Sequence, residues 1–317
     1  MIQTIADITP AVLAELDRAS DPRFKAIMGA AVRHIHAFVQ ETQLTEPEFY
    51  AACAAIARLG QATTPSHNEV VLMAGALGVS SLVCLQNNTT AERPQTTANL
   101  LGPFWRMGSP ATANGGSLVR SATAGAPLVV TARYVDTAGA PVVGALVDVW
   151  STSADGYYEN QDPEQADMNL RGQLTTDAQG EIKFTTIKPA GYPVPVNGVV
   201  GDWLRAQGRH NMRPAHLHFL AIKAGYKTQF SQVYDSADAN LETDSQFGVT
   251  AALVADFVRH DLRRAAPCPA YPDIAGEWFE LHHEFVLLAG ESTLPRAPIT
   301  GKTDAPRPPQ VVLARGE

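Results

Sequence analysis

The feature that most limits how this chain of 317 residues can fold is a change of pattern near Gln86. Before it, apolar residues recur at helical spacing; after it, short apolar runs alternate with glycine and proline. Many short strands separated by turn residues indicate an all-β sandwich or barrel rather than alternating strands and helices. The strand candidates are residues 128–135, 142–150, 181–186, 215–222, 229–234 and 284–288. We therefore expect a mainly β protein with a helical N-terminal region.

The first third of the chain carries signals for the starts of helices. Asp21 followed by Pro22 fits an N-cap with proline in the first turn, ahead of helical spacing over residues 24–39. Thr45 with Glu48 fits a capping box, in which side chains satisfy backbone N–H groups at a helix start. Each of these two places therefore predicts a helix.

Three further segments complete this outline. Ser66 with Glu69 fits another capping box before residues 70–84, whose nearly uniform apolar surface predicts burial against this chain or a second copy. Residues 249–262 carry a late helical pattern, and the proline-rich end is expected to be extended and poorly packed. The predicted helical domain, β domain and tail are residues 1–95, 96–291 and 292–317.

Two imidazoles lie two residues apart in one strand candidate. His216 and His218 leave the same face of a strand, so both rings can reach one point. Imidazoles that converge on one point are most often metal ligands. His34 and His36 have the same spacing on a helix, where side chains at i and i+2 diverge, so we expect no site there.

Tyrosines stand on two loops between strand candidates, where rigid scaffolds often carry functional residues. Tyr157 and Tyr158 lie in one loop and Tyr192 in the other. A lone tyrosine is usually a packing residue with a hydrogen-bonded hydroxyl. Only their combination with the histidine pair favours a functional site.

The joint pattern resembles the intradiol ring-cleavage dioxygenases, the catechol and hydroxyquinol 1,2-dioxygenases. The segments that carry the resemblance are Leu101-Gly102-Pro103-Phe104-Trp105, Val147-Asp148-Val149-Trp150, Asp155-Gly156-Tyr157-Tyr158, Gly191-Tyr192-Pro193 and Arg213-Pro214-Ala215-His216-Leu217-His218. The similarity runs from about Asp21 to Leu288. It implies a β-sandwich catalytic domain with an N-terminal α-helical dimerisation domain.

The resemblance implies a non-haem iron enzyme with one Fe(III) per subunit. The implied ligands are Tyr158, Tyr192, His216 and His218. Phenolate oxygens suit this hard cation better than thiolates do, and the residual positive charge of the site favours a catecholate dianion. The implied reaction cleaves an aromatic 1,2-diol, hydroxyquinol or a substituted catechol, with O2 to a cis,cis-muconate or a maleylacetate-type product.

The resemblance also assigns roles around the metal. Arg213 stabilises developing negative charge, Tyr192 gives way to the incoming diol, and Gln232 helps to hold the ligands. Hydroxyquinol enzymes commonly carry an acidic residue where Gly75 stands, and the glycine is expected to leave space for a differently substituted ring. The implied substrate-binding residues are Leu72, Gly75, Leu100, Pro103, Phe104, Phe247 and Gly248.

Assembly and location follow from similar arguments. Family members usually dimerise through their N-terminal helices and often hold a phospholipid there, so the resemblance implies a homodimer and a bound lipid. A net charge of −8 and the lack of any Lys/Arg-rich block argue against nucleic-acid binding. Because we find neither a secretory signal nor an apolar run of membrane-spanning length, we expect a cytoplasmic protein without membrane insertion.

Three other interpretations remain open. The enzyme acts on unsubstituted catechol; or the histidine pair belongs to a zinc hydrolase, which needs a third His, Asp or Glu ligand; or the sandwich is a binding module without chemistry. Cys53, Cys84 and Cys268 are too far apart in sequence to indicate a disulfide framework or a thiolate zinc site. Cys53 and Cys84 are expected to be small core residues.

Overall fold

The computed structural model describes residues 1–260 and 276–316. The chain divides into two compact units, Met1–Ala57 and Arg58–Glu317. Cys268 and the last two residues of the helix expected over 249–262 lie outside the described residues.

Helices occupy the first third, as the sequence predicts. They are α1 Ile5–Leu16, α2 Pro22–Thr42, α3 Glu46–Gln61, α4 Glu69–Ala76 and α5 Val79–Asn88. At the start of α2 the Asp21 carboxylate accepts hydrogen bonds from the backbone N–H groups of Arg23 and Phe24. Before α3 the Glu48 carboxylate accepts from the backbone N–H of Thr45 at 2.9 Å and from its hydroxyl at 2.7 Å. Both predicted helix starts are confirmed.

The single helix expected over residues 70–84 is wrong. The chain breaks between α4 and α5, where Gly78 has φ +71°, a left-handed conformation that glycine adopts without a steric penalty. The two helices bend by 73° at this break. The N-cap of α4 is Asn68, which accepts from the N–H of Val71 at 2.9 Å, and not Ser66. The expected burial holds for one face of α4, whereas α5 buries none of its residues.

In the part of the chain that the structure describes, twelve strands and one more α-helix follow. They are β1 Gly116–Ser117, β2 Pro127–Val135, β3 Leu146–Ser151, β4 Arg171–Thr175, β5 Glu181–Ile187, β6 Tyr192–Pro193, α6 Val199–Ala206, β7 Met212–Arg213, β8 His216–Ile222, β9 Gln229–Asp235, β10 Val254–Ala255, β11 Val258–His260 and β12 Trp278–Val286. One sheet has the order β1-β5-β2-β12-β11, the second has the order β10-β9-β8-β3-β4, and β6 pairs with β7 alone.

The two five-stranded sheets share one apolar core, which confirms the expected mainly β sandwich. Strand β2 alternates between more and less buried residues, as a strand with one inward face does. Phe219 of β8 lies against Phe285 of β12, with ring centroids 5.0 Å apart, and 6.4 Å from Phe184 of β5. These aromatic rings therefore join the inner faces of both sheets.

Most predicted strands are confirmed within a few residues, but one helix expectation is wrong. Residues 249–260, the described part of that segment, do not form an α-helix: a short 3-10 turn over Ala251–Leu253 leads into β10 and β11. Val254 pairs in parallel with Tyr234 at the edge of the second sheet. Hydrogen bonding to a sheet edge therefore overrides the local helical pattern. Strand β3 starts four residues later than expected, because Gly144 turns the chain at φ +69°.

The segment after Ser292 is extended as expected, but the expectation of poor packing is wrong. Its residues form neither helix nor strand up to residue 316. Nevertheless, the backbone N–H of Thr303 donates to the carbonyl of Asn160 at 3.0 Å. The Arg307 guanidinium contacts the buried carboxylate of Asp162 at 2.7 Å. We call residues 300–316 the C-terminal strap, because hydrogen bonds tie them to the loop around Asn160 and Asp162.

The remaining expectations concern membrane-spanning segments and the burial of the cysteines. Among the described residues, no single helix is both long and apolar enough to cross a membrane; α4 and α5 reach that length and composition only as a bent pair. Cys84 is partly buried, and burial raises the pKa of its thiol to about 11. Cys53 is exposed in this chain, so its expected place in the core is wrong.

Candidate active site

Strand β8 presents the histidine pair at the centre of the second sheet. His216 and His218 leave the same face, and their Nε2 atoms lie 3.1 Å apart. The register with β3 places Trp150 beside His218, and the two rings stack with centroids 4.7 Å apart and an interplanar angle of 11°. The register with β9 places Gln232 on the other side of His218. Neighbouring strands therefore flank His218 on both sides, and β9 places Tyr234 beside His216.

Tyr158 comes from a loop that buried charges anchor. It directly precedes a 3-10 turn, Glu159–Gln161, whose first residue is buried. The Glu159 carboxylate accepts from Arg171 Nε at 2.6 Å and from Arg106 Nη1 at 2.8 Å. The ring of Phe104 packs on the Tyr158 ring at a centroid distance of 4.7 Å. These contacts direct the Tyr158 hydroxyl toward β8.

Tyr192 reaches the same point from a two-stranded ribbon. The pairing of β6 with β7 sets Tyr192 opposite Arg213, three residues before the first histidine. Tyr157, by contrast, turns its hydroxyl away and donates to the carbonyl of Pro308 in the C-terminal strap at 2.8 Å. The structure therefore brings Tyr158, and not Tyr157, to the histidine pair.

Four side-chain donor atoms converge in this cluster. The Tyr158 Oη lies 2.8 Å from His218 Nε2, 3.4 Å from His216 Nε2 and 3.3 Å from Tyr192 Oη. All four side chains are almost completely buried. Two phenol oxygens and two imidazole nitrogens within hydrogen-bonding distance of one another can enclose one small ion.

The protonation states favour a cation. Burial, reinforced by the Arg213 charge, lowers the pKa of His216 to about 3, and burial lowers the pKa of His218 well below its ordinary value. The Nδ1 of His216 lies 2.6 Å from the Pro214 carbonyl, so Nδ1 carries the proton and Nε2 presents its lone pair. Burial raises the pKa of Tyr158 well above its ordinary value. Binding a hard trivalent ion offsets this by taking the ionised phenolate.

Arg213 lies beside the cluster in a fully buried network. Its Nε and Nη2 atoms contact the two carboxylate oxygens of Asp244 at 2.9 and 3.0 Å. Its Nη2 also donates to Gln232 Oε1 at 2.8 Å and to Tyr234 Oη at 3.0 Å. Burial alone lowers the pKa of the guanidinium, but the Asp244 carboxylate outweighs this and raises that pKa. A permanent positive charge therefore stands next to His216, with Nη1 3.3 Å from Nε2.

Gln232 forms hydrogen bonds with both the nitrogen and the oxygen of its side-chain amide. Its amide nitrogen donates to the carbonyl of Leu100 at 2.8 Å, while its oxygen accepts from Arg213 and from Tyr234. The amide thus connects the chain segment around Leu100 to the arginine network. This arrangement suits a positioning residue.

A cavity of about 940 Å³ opens next to the cluster. Gly75, Leu100 and Pro103 line it, as does Gly102. At Gly102, with φ +78°, an added Cβ would lie only 3.1 Å from the His218 ring. The backbone at Gly102 therefore separates the cavity from the His218 imidazole by a single layer of main chain.

The other expected substrate contacts are placed differently. Leu72 and Phe104 are buried, and neither lines this cavity. Phe247 is 53% exposed and stacks under the Arg209 guanidinium at 4.6 Å, and Gly248 lies against Arg213 and Tyr234. Their roles in substrate binding stay predictions.

The expectation of free space at Gly75 is wrong. A Cβ at this position would overlap the amide oxygen of Gln246, whose side chain occupies that volume. The sequence did not indicate this, because the two residues are far apart along the chain and meet only in the fold.

Several residues of the site were not identified from the sequence. Asp244 neutralises Arg213, Tyr234 shares its hydroxyl with this pair, and Trp150 stacks on His218. Strand register is the signal that could have identified two of these residues, because Trp150 and Tyr234 are the cross-strand neighbours of the two histidines. Asp244 follows a short 3-10 turn, and nothing local in the sequence links it to Arg213.

The zinc interpretation finds no further ligands. In the part of the chain that the structure describes, no group of three or more His, Cys, Asp or Glu side chains is placed to hold a metal ion. The histidine pair is completed by tyrosines instead, which are unusual for zinc and suit ferric iron.

Known proteins share this architecture. The family described as catechol dioxygenase N terminus matches residues 21–95, and the family described as dioxygenase matches residues 101–287. A hydroxyquinol 1,2-dioxygenase of Rhizobium sp. (strain MTP-10005) is 37% identical over 279 residues, which cover 87% of this chain and 92% of that protein. A catechol 1,2-dioxygenase of Candida albicans (strain SC5314 / ATCC MYA-2876) is 31% identical over 297 residues, 93% of this chain and 95% of that protein.

A solved structure agrees with these relatives. Hydroxyquinol 1,2-dioxygenase from Pseudomonas putida DLL-E4 superposes with a TM-score of 0.77 at 35% identity, covering 90% of this chain and 99% of that chain. The matched residues include both strands and loops of the donor cluster. The chain therefore belongs to the intradiol ring-cleavage dioxygenases and is an enzyme of that family.

Proposed function

We propose that this enzyme holds one ferric ion in the donor cluster and cleaves an aromatic 1,2-diol between its two hydroxylated carbons, with O2 as co-substrate. The proposed ligands are Tyr158, Tyr192, His216 and His218. The observation that carries the proposal is the convergence of Tyr158 Oη on both Nε2 atoms, at 2.8 and 3.4 Å, with Tyr192 Oη at 3.3 Å.

The side chains around the cluster have distinct tasks in this proposal. When bound, Fe(III) acts as a Lewis acid and template that activates and orients the diol for reaction with O2. Tyr192 Oη accepts a proton from an incoming hydroxyl and gives way to it. The Arg213 guanidinium stabilises negative charge on the reacting substrate without solvent reorganisation, because Asp244 and Gln232 already fix its position.

We propose hydroxyquinol or a ring-substituted catechol as the substrate, with a maleylacetate-type or cis,cis-muconate product. The similarity to hydroxyquinol 1,2-dioxygenases supports this choice, since the Rhizobium relative shares 37% of residues and the Candida catechol enzyme 31%. Unsubstituted catechol is the alternative substrate. Steady-state rates on hydroxyquinol, catechol and substituted catechols decide between them, and a much faster rate on plain catechol would contradict our choice.

The test of the metal and of the chemistry uses the purified protein. Tyrosinate-to-Fe(III) charge transfer makes such a protein red to burgundy, and metal analysis should find one iron per chain. Oxygen uptake with each diol shows whether the enzyme reacts with it. Ultraviolet spectra of the product then distinguish cleavage of the ring bond between the two hydroxylated carbons from cleavage of the adjacent ring bond. A colourless protein that contains zinc and consumes no oxygen would refute the proposal.

Two adjacent tyrosines supply a matched control. Tyr158→Phe should abolish the visible absorption and most of the bound iron, because the phenol that touches both imidazoles is lost. Tyr157→Phe should keep both, because that hydroxyl points away from the imidazoles and donates to the Pro308 carbonyl of the strap. Equal loss of colour in the two variants would remove Tyr158 from its proposed role.

We also propose that the enzyme is a homodimer that associates through its N-terminal helices. Helix α2 exposes several large apolar side chains, of which Phe24 is 51%, Ile35 59% and Phe38 54% exposed. Such a stripe on one helix fits an interface with a second copy. Light scattering should give twice the chain mass, and a monomer at micromolar concentration would contradict the dimer. The phospholipid at the interface stays a prediction.

A further inference from the structure

The side chain of Gln246 occupies the space that a side chain at position 75 would fill if that residue were not glycine. Gly75 lies on α4 and faces the cavity, and the amide of Gln246 fills the volume that a Cβ would enter. Gln246 is only 3% exposed. A polar group from a distant loop therefore substitutes for a side chain on the helix.

This amide lines the cavity whose wall at Gly102 lies against His218, one of the proposed ligands. Gln246 and Gly75 line it together with Leu100 and Pro103, and Gly102 connects it to the His218 ring. Much of the remaining lining is apolar, including Val71, Leu101, Phe230 and Ile299. We take a diol held at the cluster to extend the rest of its ring into this cavity, toward Gln246.

The hydrogen-bonding capacity of Gln246 is largely unused. Its amide nitrogen has one long contact, 3.4 Å to the Ser245 carbonyl, and within the described residues nothing donates to its Oε1. Other polar side chains of the cavity are engaged: Asn99 donates to the Gly248 carbonyl at 2.7 Å, and Asn68 accepts from Val71 at 2.9 Å. Gln246 is therefore available to a ligand.

The backbone of Gln246 is held from both sides. Its N–H donates to the Asp244 carboxylate at 3.2 Å, and two residues later the N–H of Gly248 donates to the same carboxylate at 2.9 Å. Asp244 is the residue that pairs with Arg213. The network that fixes the arginine thus also fixes the point from which the amide extends.

We infer that Gln246 determines which ring substituent the enzyme accepts, by hydrogen-bonding a polar group on the diol ring. This inference rests on the proposed function of the cluster. When an unsubstituted ring fills the cavity, the amide loses water and gains no partner, which is unfavourable for a buried polar group. A ring with a further hydroxyl replaces that water. The enzyme is expected to prefer hydroxyquinol to catechol for this reason.

The decisive experiment measures kcat/KM for hydroxyquinol and for catechol in wild type and in Gln246→Leu, which keeps the volume and removes the hydrogen bonds. We expect the ratio of kcat/KM for hydroxyquinol to kcat/KM for catechol to fall by roughly tenfold to a hundredfold, mainly because the value for hydroxyquinol falls. Catechol should change little or improve. If both substrates lose the same factor, Gln246 is merely structural and the inference is wrong.

Gly75→Ala supplies an independent variant. Its new methyl group would overlap the amide oxygen and push this flexible side chain aside, so the ratio should fall in this variant too. Because both changes act on the same hydrogen bond, the double variant should show no further fall. Additive losses would contradict a shared mechanism. The Gln179→Leu variant is a matched control, because Gln179 is exposed in a turn.

Failure of the inference can be told apart from failure of the proposed function. If wild type binds iron and cleaves diols but the ratio is the same in Gln246→Leu and Gly75→Ala, only the role of Gln246 is refuted. If wild type binds no iron and cleaves no diol, both are refuted. Iron content and circular dichroism of each variant show whether it is folded; Gln246→Met replaces the leucine variant if that one does not fold.

Discussion

The two halves of the donor cluster are supported in different ways. The imidazole half sits on β8, between β3 and β9, where backbone hydrogen bonds on both edges set its position. The phenol half sits on a 3-10 turn and on the two-residue strand β6. Side-chain ion pairs, rather than a sheet, hold the Tyr158 loop in place. One site thus combines a rigid scaffold with loops that depend on specific buried charges.

The difference has consequences for which changes the site tolerates. In the strand half, removal of a ligand leaves the sheet intact, because its hydrogen bonds involve only the backbone. In the loop half, removal of Glu159 leaves Arg171 buried without its carboxylate. A buried charge without a partner is strongly destabilising. The strand half is therefore expected to fail in function alone, and the loop half in function and stability together.

The largest expected effect is the loss of metal from the strand half. His216→Ala removes one of four donors from a buried site and should reduce bound iron from one per chain to roughly a tenth or less, while the metal-free variant unfolds at nearly the same temperature as metal-free wild type. His34→Ala is the matched control, because His34 has the same His-x-His spacing on α2. Metal analysis of both variants checks this; full iron in the first variant would contradict it.

Next in size is the loss of the charge that anchors the loop half. Glu159→Ala should lower the free energy of unfolding by about 3–5 kcal/mol, because both Arg106 and Arg171 lose their buried partner. Bound iron should fall with it. Asp167→Ala is the control, since Asp167 pairs with the same Arg106 but is 64% exposed, and should change stability by less than about 1 kcal/mol. Denaturant unfolding of the two variants distinguishes these outcomes.

The third effect is the pH dependence of folding stability in metal-free protein, which should differ between the imidazole half and the phenol half of the cluster. The pKa of His216 is about 3 when folded and about 6.5 when unfolded, so its stabilisation is complete above pH 6.5 and is lost as pH falls toward 3. The pKa of Tyr158 is raised, so its stabilisation is lost as pH rises above about 10. The loss of stability at acid pH should be smaller in His216→Gln than in wild type. The loss of stability at alkaline pH should be smaller in Tyr158→Phe. Unfolding curves across pH that show no such split would contradict this.

The smallest expected effect concerns the C-terminal strap. Arg307→Ala removes a partly exposed ion pair with Asp162, three residues from the end of the Tyr158–Glu159 segment, and should lower stability by about 0.5–1 kcal/mol. Iron should dissociate a few times faster into a chelator, because the loop opens more often. Arg133→Ala, which removes an exposed pair with Glu284 on β12, is the control. Equal dissociation rates in both variants would mean that the strap does not support the site.

All four proposed ligands were named from the sequence, but by two different kinds of signal. A two-residue spacing within a strand is enough to place His216 and His218 on one face, whatever the rest of the fold. The tyrosines were named through the family resemblance, and the fold shows which of the adjacent pair faces the imidazoles. The partners of Arg213 were not named, because Asp244 and Tyr234 meet it only across β9 and a following loop.

By itself, the sequence determined the mainly β architecture, the helical N-terminal region and the spacing of the histidine pair. These properties depend on periodicity and on turn residues, which act over a few neighbouring positions. Only the tertiary structure decided that residues 254–260 pair at sheet edges, that the tail is hydrogen-bonded to the Tyr158 loop and that Gln246 fills the space beside Gly75. The physical reason is that such contacts join residues distant in the chain, and their free energy depends on packing that no local pattern encodes.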